Sequence, residues 1–243
     1  MALNLKKLQS IARRRLGLKG SVEFEHVSKS QIAYLKIGSE FLSTTTNSVT
    51  LAHTITYSNA PSLNPADVYH EFCKAKLNEC GFTTIEVAAL NAIRDCSKND
   101  PKYIRDANSA LTVVSEAYAS WLLFSQFQEA DERRNSIVLR FESSDALTSL
   151  HTQMGFWGTA GISYYKIASE WAEVPFPQKQ IQEAIERSSD GKEIRAEFDQ
   201  INALLSDLPK VDLAQSDRIS DTESIQIVDI IVRLFDAKTG LEC

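Results

Sequence analysis

Apolar residues recur at helical spacing in the first segment of the chain. This spacing predicts an amphipathic helix over residues 3–17, with five positions on its packed face: Leu5, Leu8, Ile11, Ala12 and Leu16. The opposite face is basic, and because charged runs usually face water we expect it to be exposed.

Between residues 21 and 58 the pattern changes to short segments with partial alternation of apolar and polar residues. They read "SVEFEHV", "IAYLKIG" and "SVTLAHTITYS", and they are rich in β-branched and aromatic side chains. Such segments, separated by a turn sequence such as "TTTNS", predict a small antiparallel sheet. Its last strand is expected over residues 49–57.

The remainder of the chain is predominantly helical in pattern. A helix is predicted over residues 65–80, with Asn64 as N-cap, Pro65 in the first turn and Gly81 at the C-cap. Further helical patterns cover residues 83–97, 104–129, 177–208 (interrupted at "SSDG") and 222–237, whereas 133–175 is less regular.

The predicted fold class is α+β, a small antiparallel sheet packed on a helical bundle. We expect one domain over residues 1–175 and a helical extension over 176–243, which could pack as part of the same domain.

Composition limits the classes of function and the cellular compartments expected of the protein. A net charge of −6 argues against a general nucleic-acid binder. The four cysteines contain no CxxC pair, which favours reduced thiols and a cytoplasmic protein. No apolar run approaches the length of a membrane span, so none is predicted.

The stretch "VYHEFCKAKLNECGF", residues 68–82, carries the candidate chemistry. Positions i and i+4 of a helix lie on the same face, which is why zinc hydrolases use the pattern His-Glu-x-x-His. Here His70 and Glu71 are present, but Lys74 occupies the position of the second histidine. Glu116 lies in a strongly apolar helical segment, where a charge is costly unless it is paired.

Residues 30–130 resemble the small gluzincin-type metallopeptidases, with a zincin-like core. The resemblance rests on a sheet followed by "DVYHEFCKAKLNECGF" and "VVSEAYASWLLF". It implies that His70 and Glu116 match zinc ligands and that Glu71 matches the general base. It also implies that strand 49–57 is the edge that pairs with an extended substrate peptide. Ser120 replaces the carboxylate that commonly orients a ligand histidine in such families.

Three interpretations of Lys74 remain open. Another residue could replace the missing ligand, and Cys73 and His151 are the candidates. Alternatively, the Lys74 ammonium could lie between Glu71 and Glu116 in place of a metal ion. In the third interpretation the motif is a chance match and these residues form an ordinary helix surface.

The function expected from the sequence is that of a degenerate metallopeptidase. Such a protein would be metal-free or weakly metal-binding, without a favoured cofactor, and would bind a peptide or protein partner in the former protease cleft. The alternative is an active zinc peptidase in which Glu71 deprotonates a metal-bound water molecule. The apolar pattern of residues 225–235 suits either the core or the interface of a homo-oligomer.

Overall fold

A computed structural model describes residues 4–28, 42–58, 64–127 and 143–243. Within these ranges the chain forms nine α-helices and a sheet of three strands. The predicted α+β class is therefore confirmed, and helix dominates.

The sheet is mixed rather than antiparallel. Its strands are β1 (Val22–Val27), β2 (Leu42–Thr46) and β3 (His53–Ser58), in the spatial order β1-β3-β2. β2 and β3 are antiparallel, as expected of a hairpin with a short connection, but β1 and β3 are parallel. The prediction of an antiparallel sheet is wrong for β1 and β3. Alternation of apolar and polar residues identifies strands, but it does not determine their order or relative direction in the sheet. The segment "IAYLKIG" lies outside the described residues.

The position of β3 also corrects the expected peptide-binding edge. Strand 49–57 was expected at the edge of the sheet, but only His53–Ser58 is strand, and it pairs with β1 on one side and β2 on the other. Its backbone hydrogen-bonding groups are therefore already used. Of the three described strands, β1 and β2 form the edges.

The first helices follow the sequence signals closely. α1 (Leu5–Leu16) ends at Gly17, which adopts the left-handed conformation that favours glycine. α2 (Pro65–Glu79) begins with a capping box in which Asn64 and Asp67 satisfy each other's backbone N–H groups. These caps fix where α2 starts and therefore which of its residues face the interior.

Seven more helices complete the described fold. Their bounds are α3 (Phe82–Cys96), α4 (Ile104–Gln126), α5 (Ser144–Met154), α6 (Phe156–Trp171), α7 (Gln178–Arg187), α8 (Gly191–Ser206) and α9 (Asp221–Thr239). α3 and α4 pack with α2 and with α9, and α6 packs against both α4 and α8.

The main hydrophobic core extends from the N-terminal helices to the C-terminal ones. α9 contributes Ile227, Ile231 and Leu234 to the same buried cluster that contains Phe72 and Val114. Burial of these apolar side chains is the main force holding the helices together. No helix in the described part of the chain is long and apolar enough to cross a bilayer.

The cysteines do not all remain thiols. Cys96, at the end of α3, forms a disulfide with Cys243, 147 residues later. The prediction of four reduced cysteines is therefore wrong for this pair, because the pairing depends on two segments that are far apart in sequence and meet only in the folded structure. Cys73 and Cys80 are buried and are not part of a disulfide.

Candidate functional site

The "HEFCK" segment lies on the buried side of α2, where the helix packs against α4 and β2. The side chains of His70 and Glu71 are only 2% and 4% exposed, and that of Lys74 is 30% exposed. Because residues three and four apart share a helix face, Lys74 lies one turn beyond His70 and Glu71. The sequence thus places an imidazole, a carboxylate and an amine at one point of the interior.

Glu116 approaches this point from the middle of α4. Its Oε1 atom is 2.7 Å from Lys74 Nζ, and its Oε2 atom is 3.1 Å from His70 Nε2. Lys74 Nζ is also 3.2 Å from Glu71 Oε1. The ammonium therefore bridges two carboxylates that come from different helices.

A fourth side chain, Thr44 on β2, completes the cluster and was not predicted. Its hydroxyl lies 2.8 Å from Glu71 Oε2 and 3.1 Å from the backbone carbonyl of Glu71. The run "LSTTT" gave no signal for this role, because many strands carry threonine. The contact connects the candidate site to the edge strand of the sheet.

The charges in this cluster reinforce one another. Burial alone would raise the pKa of Glu116, but the neighbouring His70 and Lys74 hold it well below the ordinary value of 4.5. Burial likewise opposes ionisation of Glu71, and His70 and Lys74 again give a net lowering of its pKa. The two carboxylates raise the pKa of Lys74 although burial opposes this. The favoured state is an ammonium between two carboxylates.

These residues do not fit a catalytic zinc ion. His70 Nε2 and Glu116 Oε2 are near the separation of about 3.3 Å that two ligands of a tetrahedral zinc ion adopt. His70 Nε2 is buried and lacks an aligned hydrogen-bond partner among the described residues. However, the third position of the motif holds an ammonium, which has no lone pair and repels a cation. Two ligands and a positive charge do not make the three-ligand site that zinc catalysis requires.

The two candidates for a replacement ligand, Cys73 and His151, have different surroundings. Cys73 is fully buried in the main hydrophobic cluster. His151 lies on α5, and its ring faces Asp190 and Glu197 instead. Ser120, one turn after Glu116, has a buried hydroxyl without a hydrogen-bond partner in the described structure.

The chain matches no protein-family model, no curated protein and no solved structure. An interpretation of the site therefore rests on its geometry and on the motif.

A cavity of about 740 Å³ adjoins the cluster, and Glu116 forms part of its wall. Among the described residues, three helices line it: α4, α5 and α6. The lining combines apolar and aromatic side chains, such as Val113, Leu150 and Trp157, with polar ones, such as Thr112 and Gln153. A concave space of this size that combines apolar surface with polar groups is typical of a ligand site.

Proposed function

We propose that this protein is a catalytically inactive relative of zinc metallopeptidases that binds a peptide segment without cleaving it. The observation that carries the proposal is the position of Lys74 Nζ, 2.7 Å from Glu116 and 3.2 Å from Glu71. In the resemblance to gluzincins, these carboxylates correspond to a zinc ligand and the general base. The lysine supplies the positive charge that a metal ion would supply.

The state of Glu71 also supports the absence of hydrolysis. A general base works best when its pKa lies near the working pH. The pKa of Glu71 is lowered instead, because His70 and Lys74 outweigh the effect of burial. Its Oε2 atom accepts a hydrogen bond from Thr44, so both oxygens are engaged in structural contacts.

For peptide binding, the cavity beside Glu116 is a better candidate than β3, because β3 already has partner strands on both sides. Trp157 and Leu150 offer apolar contact surface, while Met154 is 48% exposed and is flexible enough to adapt to different side chains. We expect a peptide to insert a bulky apolar side chain between α4, α5 and α6.

Zinc content and peptidase activity test the loss of catalysis. The full chain is purified without chelator, and zinc per chain is measured by elemental analysis for the wild type and His70→Gln. Cleavage of a quenched fluorescent peptide library is measured for the wild type and Glu71→Gln. We expect equal zinc content in the first pair and no cleavage above the Glu71→Gln background in the second.

The opposite results would contradict the proposal directly. Zinc that is lost on His70→Gln, together with cleavage that is lost on Glu71→Gln, would establish the active peptidase instead.

Binding is tested separately by selecting peptides from a phage-displayed random library. Selected peptides that share a bulky apolar residue would support the cavity as the binding site, and the absence of any selected sequence would count against it.

A further inference from the structure

A second cluster of potential ligands lies away from the site on α2. It combines His151 of α5 with Glu193 and Glu197 of α8, and one ligand atom from each lies within 4.8 Å of the others. Glu193 and Glu197 are four residues apart, so they project from the same face of α8 toward α5. An imidazole and two carboxylates thus meet at the contact of two helices.

The His151 ring lies between two carboxylates, an arrangement that can hold a cation. Its side chain is 10% exposed, and its Nε2 atom is buried without a hydrogen-bond partner among the described residues. Nδ1 lies 3.4 Å from Asp190 Oδ2, a contact in which the N–H at Nδ1 donates to the carboxylate. In that tautomer the Nε2 lone pair faces Glu197 Oε2 at 3.2 Å. Two electron-rich atoms at this distance repel each other unless a proton or a metal ion lies between them.

We infer that His151, Glu193 and Glu197 bind a divalent transition-metal ion, with zinc as the best-suited probe. Histidine nitrogen and carboxylate oxygen are both common zinc ligands. The separation of 3.2 Å between Nε2 and Oε2 is close to the value of about 3.3 Å for neighbouring ligands on a tetrahedral zinc ion. Glu193 is exposed and can rotate to complete the set.

The surroundings of the cluster resemble those of metal sites in general. A metal-bound histidine almost always donates its other ring N–H to a carboxylate or carbonyl, and Asp190 occupies that position here. Thr159 of α6 donates a hydrogen bond of 2.8 Å to Glu197 Oε2, which fixes the orientation of that carboxylate. The His151 ring and the Glu197 carboxylate are therefore both held in place before a metal binds.

The metal would join α5 to α8. Because α5 also forms one wall of the cavity beside Glu116, the ion would hold that wall in position. This role is structural, and it does not depend on the proposed function of the α2 site.

The test is calorimetric titration of ZnCl₂ into the full chain after removal of metals by chelator and dialysis. We expect the wild type to bind one zinc ion per chain. Its midpoint of thermal unfolding should be higher with zinc than without it. Glu193→Gln and His151→Gln should each weaken zinc binding strongly. The loss should exceed the factor of about 10 to 100 that is typical when a residue hydrogen-bonded to a metal ligand is removed. Glu193 is exposed, so its variant should fold normally; His26→Gln, a substitution of an exposed histidine, should bind zinc like the wild type.

The outcomes separate this inference from the proposed function. Failure to bind zinc, or binding unaffected by Glu193→Gln and His151→Gln, would overturn the inference and leave the proposed function intact. Zinc binding that is lost on His70→Gln but not on His151→Gln would overturn both. Binding that is lost on His151→Gln and kept on His70→Gln would support both.

Discussion

Lys74 Nζ and Glu116 Oε1 lie 2.7 Å apart and connect the two helices at the centre of the fold. Under the proposed kinship with zinc proteases, the lysine would take the place of the second histidine and the glutamate that of the third zinc ligand. On that proposal, an ion pair between side chains stands where a metal ion would bind. Its strength depends on both partners, since each is costly to bury alone.

Removal of the amine should destabilise the protein. Lys74→Met keeps most of the side-chain volume but leaves Glu71 and Glu116 without their shared counter-ion. We expect a loss of about 3 kcal/mol in the free energy of unfolding, as for other broken buried pairs. Urea denaturation measures the change. Lys19→Met is the matched control, because the Lys19–Asp217 pair is exposed and should matter little; equal losses in the two variants would contradict the role of Lys74.

Stability should depend on pH through the same groups. The pKa values of Glu71 and Glu116 are lowered from 4.5 in the folded state, so their contribution is present above about pH 4.5 and is lost as the pH falls further. The pKa of Lys74 is raised from 10.5, so its contribution is present below that pH and is lost as the pH rises through the folded value.

A substitution can test whether Glu116 causes the loss of stability at acidic pH. Urea denaturation at a series of pH values should show a shallower decline below pH 4.5 in Glu116→Gln than in the wild type, because the amide does not titrate. An unchanged decline would show that other carboxyl groups dominate acid unfolding.

Restoring the second histidine should restore metal binding. In Lys74→His the new imidazole would lie one turn from His70 and would replace the ammonium beside Glu116, which gives three ligands. We expect one additional zinc ion per chain and an affinity at the α2 site at least about 100-fold higher than in Lys74→Gln, by calorimetric titration. If the two variants bind zinc equally, the pocket does not have the geometry of a zinc site.

Local signals explain which parts of this structure could be predicted from sequence. Asn64, Asp67 and Gly17 fixed helix ends through caps, and the i,i+4 rule placed His70 and Lys74 on one face. The approach of Lys74 to Glu116 was one of three open interpretations, and the cost of burying an unpaired carboxylate favoured it. These inferences depend on residues that are close in sequence or on the cost of burying an unpaired charge.

The missed features all involve long-range pairing. The parallel alignment of β1 with β3 and the Cys96–Cys243 disulfide bring distant segments together. Alternation and cysteine spacing carry no information on which segments meet. The contact from Thr44 to Glu71 was missed for the same reason, since it depends on how the edge strand docks on α2.

The disulfide should contribute measurably to stability. It links positions 147 residues apart, and closing so long a loop restricts the unfolded chain. We expect Cys243→Ser, at an exposed position, to lower the free energy of unfolding by about 2–4 kcal/mol. The wild type in excess reductant should lose a similar amount, whereas the variant should not respond to reductant. A wild type that is insensitive to reductant in urea denaturation would contradict this assignment.

Filling the cavity beside Glu116 should weaken peptide binding without destabilising the fold. Gly161 lies on α6 in the cavity wall, and a Cβ atom added there meets nothing within 4 Å. Gly161→Leu should therefore place its side chain in the cavity and also raise the free energy of unfolding by up to about 1 kcal/mol, because glycine is a poor helix former.

Peptides selected on the wild type provide the probe for this variant. Fluorescence anisotropy should show at least about tenfold weaker binding to Gly161→Leu, because the added side chain occupies the space that the peptide needs. Val87→Leu, at an exposed position of α3, serves as the control and should bind like the wild type. Unchanged binding to Gly161→Leu, with urea denaturation confirming a stable fold, would place the peptide elsewhere on the protein.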